Sequence, residues 1–192
     1  MTYIVNADDF HEDNNRFDLL HQIKQKLPNF KITMFTIPGL CSLQWSKWVF
    51  SDYPWIEMVP HGWKHPHPRE CESWTFNETM IYLDLISKIP YYVHGFKAPG
   101  WQISGGTYKA LDATGYWVAD QEYNDWRRPF GLKSYVLTHD DPDVKKMHFH
   151  VQNVCGNGLE ESLDQIMSLD PDEEFMFVSE YIKVKYDNSN NS

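Results

Sequence analysis

The order of short apolar runs and amphipathic stretches constrains the fold of this chain more than any other feature. Runs at 3–5, 32–37 and 55–59 are rich in β-branched and aromatic residues, which predicts strands, whereas apolar residues within 14–27 recur every three or four positions, which predicts a helix. Strand and helix alternate in this way roughly eight times, a pattern typical of a mostly parallel sheet. We therefore expect an α/β fold, either a barrel or a distorted relative of one.

The later part of the chain continues the alternation. Thr75 and Glu78 have the spacing of a capping box, so a helix should begin there and run to Ile89, before Pro90. Other strands are predicted at 91–96, 116–119, 134–138, 146–150 and 175–178, and other helices at 43–50, 107–113 and 159–169. Because no repeat or linker is visible, residues 1–186 are interpreted as one domain and the polar residues 187–192 as a disordered tail.

The composition limits the kinds of partner. The 192 residues carry a formal net charge of −10 and a pI of about 5.3, so nucleic acid and anionic membranes are poor partners, because both require clustered Lys and Arg. No stretch approaches the roughly 18 apolar residues of a membrane span, and the first residues do not resemble a signal peptide, which predicts a cytoplasmic protein. Three cysteines without a CxxC pair are interpreted as free thiols.

Chemically active side chains follow the predicted strands. In parallel α/β folds, catalytic residues collect at the C-terminal ends of the strands. We therefore expect one site built from residues that are far apart in sequence, namely Asp8 and Asp9 after the first strand, His61 and His65 after the third, Lys97 and Pro99 after the strand at 91–96, Asp125 and Trp126 after the strand at 116–119, and His148 and His150 at the end of a later strand.

Two short motifs in this set suit metal binding. Adjacent side chains diverge on an extended segment, so Asp8 and Asp9 can serve two tasks, one facing a metal and one facing a water, although a turn or helix cap is the ordinary alternative. His61 and His65 are four residues apart and can bind one ion from one side of a helical turn, with a carboxylate completing a three-ligand set that keeps an open position. The nearby His67 leaves open which pair binds.

Five segments together resemble a known superfamily. Residues 6–10 read Asn-Ala-Asp-Asp-Phe, 61–65 read His-Gly-Trp-Lys-His, 96–101 read Phe-Lys-Ala-Pro-Gly-Trp, 123–126 read Tyr-Asn-Asp-Trp and 148–150 read His-Phe-His. In this order they resemble the motifs of the polysaccharide deacetylase superfamily, the NodB-homology group that includes carbohydrate esterase family 4. The opening segment is also similar to the YdjC-like chitooligosaccharide deacetylases, but the HxxxH pair favours the first family.

This resemblance implies a distorted (β/α) barrel and one divalent metal. The implied ligands are Asp9, His61 and His65. Imidazole suits zinc, cobalt, nickel and iron, and Zn²⁺ is the ion we expect. In the same resemblance, Asp8 would be the general base that takes a proton from the attacking water.

The resemblance also implies a general acid and a residue that holds the base. The acid would be a His of segment 148–150, oriented by Asp125. Because His148 and His150 are two apart on a strand, they face the same way, and we favour His150 as the residue nearer the loop. Lys97 lies where the family has an Arg that holds the base. Since Lys lacks the bidentate fork of Arg, we expect a less rigidly held base, with a solvated surface lysine as the alternative.

Aromatic residues in the same loops suit the apolar faces of sugar rings. Trp101 is the best candidate for substrate contact, followed by Trp63, Trp126 and the neighbouring Pro99, and core packing is the alternative for each aromatic ring. Residues 156–158, Gly-Asn-Gly, are interpreted as a loop that leads into a helix.

The expected function is therefore a metal-dependent hydrolase that removes N-linked acetyl groups from a carbohydrate. Two alternatives stay open at this point. One is an amidase that acts on a non-sugar C–N bond, and the other is a carbohydrate-binding protein whose catalytic site has decayed. The sequence does not predict an oligomeric state.

Overall fold

The computed structural model of the chain describes residues 1–120, 126–137, 141–142, 144–154 and 156–188. The strands within these residues are Thr2–Phe10 (β1), Ile32–Thr36 (β2), Ile56–Pro60 (β3), Gly95–Lys97 (β4), Trp117–Asp120 (β5), Ser134–Val136 (β6), Val144–His150 (β7) and Glu174–Phe175 (β8). The α-helices are Phe17–Lys26 (α1), Leu43–Asp52 (α2), Phe76–Ser87 (α3), Gly105–Thr114 (α4), Leu163–Met167 (α5) and Val178–Asn188 (α6). Among these described helices, none is both long and apolar enough to cross a lipid bilayer.

The strands form two parallel sheets that meet beside the candidate site. One sheet has the order β3-β2-β1-β7, with β8 also paired to β1, and the other has the order β4-β5-β6. A parallel bridge between His61, which follows β3, and Lys97 of β4 connects the two sheets. The named strands pair in parallel, so the α/β architecture expected from the sequence is confirmed. Within the described residues, no ladder joins β6 to β7.

One hydrophobic cluster lies in an interior that both sheets share. Its members come from five strands and from α6, and they are Ile4, Phe35, Val59, Trp117, Ala119, Tyr135, Val178, Tyr181 and Ile182. Because side chains alternate between the two faces of a strand, these residues mark the faces of the two sheets that look toward each other. An interior enclosed by strands of both sheets is the geometry of a distorted barrel.

The last helix, α6, was not expected from the sequence, which predicted a strand at 175–178 and a tail from residue 187. The strand β8 ends at Phe175, and α6 begins at Val178 and includes the first two residues of the expected tail, whereas residues 189–192 lie outside the described residues. Side chains of the sheet cap the first N–H groups of α6. The main-chain N–H of Val178 donates to Oγ1 of Thr33 in β2, and that of Ser179 donates to Oε1 of Glu57 in β3. These two caps come from distant strands, and Glu180 adds a local one by accepting from the main-chain N–H of Phe177.

Two other predicted elements are much shorter in the structure, and one is confirmed in detail. The strand expected at 91–96 is reduced to β4, because a turn precedes it and the indole ring of Trp117 packs directly over Gly95. The helix expected at 159–169 is reduced to α5. The helix predicted after Thr75 is confirmed as α3, with both hydrogen bonds of the capping box to Glu78 present.

Candidate active site

A bulge near the end of β1 sets the direction of the acidic residues. Ala7 pairs with Met34 of β2, but the next pair along the ladder is Phe10 with Thr36, so β1 carries one extra residue in this interval. Asp9 lies in the bulge with a φ of 66°, a left-handed conformation that non-glycine residues adopt rarely and mostly where the surroundings impose it. The bulge therefore takes Asp9 out of the alternation of the strand.

Both carboxylates consequently face the same imidazole, and the expectation that they diverge was wrong. Oδ2 of Asp8 lies 3.8 Å from Nε2 of His61, and Oδ1 of Asp9 lies 3.6 Å from the same atom. The expectation assumed an uninterrupted strand, whereas the extra residue and the left-handed backbone turn the second carboxylate back toward the first. Two carboxylates can therefore act at one reaction centre.

Asp9, His61 and His65 form a group that we call the ligand cluster. Oδ1 of Asp9 lies 3.6 Å from Nε2 of His61 and 3.5 Å from Nε2 of His65, and the three ligand atoms are all within 4.8 Å of one another. Zinc binds nitrogen and oxygen at about 2.0–2.2 Å, so two ligands of a tetrahedral site are about 3.4 Å apart. Each imidazole therefore stands at the separation from the carboxylate that a shared ion requires.

The carboxylate of Asp9 gives the observation that favours an ion at this point. Its Oδ1 is buried, and it accepts no hydrogen bond from any residue that the structure describes. A buried charged oxygen without a partner costs more free energy than a neutral polar atom does, and such groups are usually paired or bound to a metal. The residues present fit a divalent cation, which would supply the missing partner.

A main-chain contact fixes the orientation of His61. Nδ1 of the ring lies 3.2 Å from the carbonyl oxygen of Lys97, and a carbonyl can only accept, so Nδ1 carries the proton and Nε2 presents its lone pair to the ligand cluster. Burial lowers the pKa of His61 to about 4, despite the two carboxylates nearby. The ring is therefore neutral at neutral pH, which is the form that binds a metal.

The segment between His61 and His65 is not the helical turn that the HxxxH spacing suggested. Gly62 and His65 have φ angles of 63° and 49°. The residue after His61 and His65 itself are therefore both in the left-handed conformation, which an α-helix excludes. Three main-chain N–H groups of this loop donate to the carboxylate of Glu70, a residue that no sequence pattern had indicated. The two imidazoles meet because the loop curves, and helical periodicity plays no part.

Asp8, Lys97 and His148 form a second group, the Lys97 cluster. Nζ of Lys97 lies 2.6 Å from each carboxylate oxygen of Asp8, and the two side chains are 0% and 4% exposed, so Lys97 is not a solvated surface lysine. Burial by itself raises the pKa of Asp8, but the charge of Lys97, with that of the nearby imidazoles, outweighs burial and holds this pKa well below its usual range. Lys97 thus contacts both oxygens although it lacks the fork of Arg.

Hydrogen bonds determine which nitrogen of His148 carries the proton. Nδ1 lies 2.6 Å from Oδ1 of Asn6, whose amide nitrogen donates to the hydroxyl of Tyr135. Since an amide oxygen can only accept, the proton of His148 is on Nδ1, and Nε2 faces Nζ of Lys97 at 3.5 Å with its lone pair. Burial, together with the charge of Lys97, lowers the pKa of His148 to about 3. His148 is therefore held neutral.

His150 lies next to this group and faces the open space of the site. Its Nε2 is 3.9 Å from Oδ2 of Asp8, and its ring centroid is 5.5 Å from that of His148, as expected for residues two apart on one strand. Nδ1 of His150 is buried and has no hydrogen-bond partner among the described residues. Asp125, which the sequence analysis assigned to orient the acid, lies outside the described residues.

A cavity of about 570 Å³ opens beside both clusters. Its wall is made by Asp8, Asp9, His61, His65, Pro68, Gly100, Trp101, His150, Gln152, Val154 and Asn157. Trp101 has a φ of 55°, so it joins Asp9 and His65 as one of four non-glycine residues with a positive φ in the described chain. Unusual backbone conformations are concentrated at this cavity, as they commonly are at functional sites.

The structure is similar to solved structures of carbohydrate esterase family 4. The Xyl-CE4 domain of a multidomain xylanase from the hindgut metagenome of Trinervitermes trinervoides matches with a TM-score of 0.61 over 97% of this chain and 91% of that chain, at 13% identity. A family 4 acetyl xylan esterase from Clostridium thermocellum, in complex with a cobalt ion, matches with a TM-score of 0.59 over 97% of this chain and 92% of that chain, at 14% identity. The chain has the polysaccharide deacetylase fold.

This deacetylase fold is also the fold of a protein described as a pseudoenzyme. A CE4 family pseudoenzyme from Bacillus anthracis matches with a TM-score of 0.61 over 94% of this chain and 65% of that chain, at 14% identity. No protein-family model and no curated protein sequence matches the chain. The resemblance stated from the motifs is therefore confirmed as a likeness of fold, and activity has to be argued from the site.

The residues proposed to contact substrate lie in different parts of this deacetylase fold. Trp101 lines the cavity, with its ring 5.9 Å from that of His148. Trp63 packs beside the core, stacked on Tyr82, and Pro99 is buried below the loop that carries the histidines. Trp126 is 75% exposed and does not line the cavity. Of the three tryptophans, only Trp101 is placed to touch a molecule bound there.

Several residues of the site had no individual sequence signal. Asn6 is part of the opening motif and is two positions from Asp8, so strand alternation could have placed it on the same side. Asn157 lies in the Gly-Asn-Gly segment that was interpreted as a loop, yet it lines the cavity and its side-chain amide donates to the main-chain carbonyl of His148. Glu70 could be found only from the folded loop.

Proposed function

We propose that this chain is a metal-dependent hydrolase that removes N-linked acetyl groups from a carbohydrate. One observation carries the proposal. The ligand cluster, in which a buried oxygen of Asp9 has no hydrogen-bond partner among the described residues, lies at the same cavity as Asp8, whose carboxylate is held by the buried Lys97. The fold shared with carbohydrate esterases supports it.

The ligand cluster would hold the ion, for which we propose Zn²⁺. A divalent cation bound there would polarise the acetyl carbonyl and make the attacking water more acidic. A cobalt ion in one of the similar structures supports a divalent metal as the type of cofactor. Asp9, His61 and His65 would provide three ligand atoms with one negative charge. The cavity leaves room on the side of Trp101 for water and substrate.

Asp8 is the general base in this proposal. Lys97 contacts both of its oxygens, which fixes the carboxylate against rotation and keeps it unprotonated over the neutral pH range. An ionised carboxylate that lines the cavity can accept a proton from the water that attacks the acetyl carbon. General bases of this type typically contribute about 10²–10⁴-fold to the rate.

The general acid is assigned to His150 in preference to His148. The leaving amine must receive a proton, so the acid needs a nitrogen that faces the substrate and can carry a hydrogen. Nε2 of His148 is directed at the ammonium group of Lys97, which opposes a proton there, and this residue does not line the cavity. His150 lines the cavity and has no such contact. His148 instead contacts Lys97 and Asn6 and helps to hold the base.

A carbohydrate is proposed as the substrate because of the cavity wall and the fold. The ring of Trp101 offers an apolar face, and Pro68 and Val154 add apolar surface beside it. The volume of the cavity is in the range that binds small ligands or one part of a larger one. We therefore propose that one N-acetylated sugar unit occupies the cavity while the acetyl group reaches the two clusters.

Acetate release from N-acetylglucosamine oligomers tests the proposal. The wild-type protein should release acetate with Zn²⁺, lose the activity with a chelator and recover it when metal returns. Asp8→Asn should lower the rate by about 10³-fold while Zn²⁺ affinity stays within about twofold of wild type. His67→Ala, at an exposed histidine outside the cluster, is the matched control and should retain full activity. Turnover by Asp8→Asn equal to wild type would exclude the assigned base.

A second candidate is an esterase that removes O-linked acetyl groups, since one of the similar structures is an acetyl xylan esterase. The site would be the same, but an alkoxide leaves more easily than an amine and depends less on an acid. His150→Ala discriminates between these substrates. On an N-acetylated oligomer it should lose far more activity than on an O-acetylated xylan oligomer, and efficient hydrolysis of the xylan substrate alone would favour the esterase.

A further inference from the structure

The carboxylate of Glu70 is enclosed by the loop that carries the two histidines of the ligand cluster. Its Oε2 accepts from the main-chain N–H of Trp63 at 2.9 Å and of His65 at 3.0 Å, and its Oε1 accepts from the N–H of Lys64 at 3.1 Å. Glu70 is only 6% exposed. Consecutive N–H groups that converge on one anion form a nest, a concave main-chain site for negative charge.

This nest depends on two residues besides Glu70. Gly62 has a φ of 63°, and a Cβ at this position would lie 2.2 Å from Oε2 of Glu70 and 2.8 Å from Cγ of Pro99. The glycine therefore gives both the left-handed turn and the space for the carboxylate. Pro99 closes the other side, so the loop is packed between a carboxylate and a proline ring.

The three main-chain N–H groups supply the hydrogen bonds that the buried carboxylate of Glu70 requires. Within the part of the chain that the structure describes, no Lys or Arg pairs with Glu70, yet both oxygens accept hydrogen bonds. Hydrogen bonds to a charged acceptor are about twice as strong as neutral ones. They offset the free-energy cost of burying the charge. They also offset the cost of the left-handed backbone at His65, whose φ is 49°.

We propose that Glu70 is a positioning residue for the metal centre, acting by fixing the main chain at His65 so that its Nε2 faces Asp9. The inference rests on the metal site of the proposed function. His61 does not need this support, because it follows β3 directly and its Nδ1 is held by the carbonyl of Lys97. His65 has no such contact to its ring in the described residues, so its orientation is set mainly through the loop.

Zn²⁺ titration calorimetry on the full chain tests this role. Glu70→Gln is nearly isosteric but places an amide donor against the N–H groups, so it should weaken Zn²⁺ binding by about 10–100-fold, the usual effect of losing an outer-shell partner. Glu72→Gln, on the same turn but with a 46% exposed side chain, is the matched control and should bind within about twofold of wild type. If Glu70→Gln does not fold, Glu70→Asp takes its place in the same series.

A double-mutant cycle with His65→Ala separates positioning from a general loss of structure. If Glu70 acts through His65, the Glu70 substitution should change Zn²⁺ affinity by less than about twofold once the imidazole is gone. An equal effect in both backgrounds would overturn the proposal, as would wild-type affinity in the single variant. Failure of the wild-type chain to bind Zn²⁺ would instead overturn the metal site itself, so the two failures are distinguishable.

Discussion

The two clusters around the cavity differ in how completely they are satisfied. In the Lys97 cluster, every charge has a partner within the chain, since Asp8 contacts Lys97 and His148 contacts Asn6. In the ligand cluster, Oδ1 of Asp9 is buried without a hydrogen-bond donor among the described residues. The first cluster is complete by itself, whereas the second leaves a buried charged oxygen that a bound cation would satisfy. The difference lies between neighbouring residues of one strand: Asp8 is paired with a lysine, whereas Asp9, under the proposed function, would bind the metal.

The largest effect should follow from breaking the complete cluster. Lys97→Met leaves the buried carboxylate of Asp8 without its partner, and such a change typically costs about 3–5 kcal/mol. Urea unfolding in the presence of a chelator measures this. Lys97→Arg retains the charge and should cost much less. A loss below about 1 kcal/mol for Lys97→Met would show that the buried carboxylate of Asp8 does not depend on this partner.

The ligand cluster should respond in the opposite way. Asp9→Asn removes the ligand charge, so Zn²⁺ affinity should fall by about 100-fold. The free energy of unfolding of the metal-free protein should change by less than about 1 kcal/mol, because Oδ1 accepts no hydrogen bond from the described residues that could be lost. Calorimetric titration and unfolding with a chelator give the two values. A large loss of metal-free stability would contradict the contrast between the clusters.

A smaller effect is expected at the edge of the Lys97 cluster. Asn6→Ala removes the acceptor of the Nδ1 hydrogen of His148 and leaves that buried donor unsatisfied, which costs about 1–3 kcal/mol. The imidazole is then free to place its proton on Nε2, so the contact with Lys97 weakens and the rate of acetate release should fall by less than Asp8→Asn lowers it. Unfolding and steady-state kinetics check both points. A rate loss as large as that of Asp8→Asn would give Asn6 a more direct role.

A further prediction concerns the pH dependence of stability. His148 has a pKa of about 6.5 when unfolded and about 3 when folded, so below pH 6.5 the unfolded chain takes up a proton that the folded chain does not. Stability of the metal-free protein should therefore decrease as the pH falls from 6.5 toward 3. His148→Gln should make this decrease shallower, and His67→Gln, at an exposed position, should leave it unchanged. Equal slopes for wild type and His148→Gln would contradict the neutral form assigned to this imidazole.

The sequence predicted the order of elements and the strand ends at which the site lies, because both follow from local patterns. Runs of β-branched and aromatic residues identified β1, β2 and β3, and the carboxyl-end rule of parallel sheets then placed Asp8, Asp9 and the two histidines of the ligand cluster together. Strand alternation also showed correctly that His148 and His150 face the same way. These inferences needed no knowledge of distant contacts.

The remaining features depend on tertiary contacts that leave no local signal. The left-handed backbone at Asp9 arises from a mismatch between two strands, and that at His65 is held by Glu70. The helix α6 is capped by Thr33 and Glu57, which come from other strands. Thr33 and Glu57 are far from α6 in the sequence, and Glu70, although only five residues from His65, forms no recognised sequence motif with it.

X-ray absorption spectroscopy at the zinc edge tests the central claim most directly. For Zn²⁺ bound to the wild-type chain, the account predicts one ion per chain with two imidazole ligands and oxygen donors at about 2.0–2.1 Å, and one imidazole in His65→Ala. Two imidazoles retained in His65→Ala, or a metal ion without imidazole ligands in the wild type, would contradict the account.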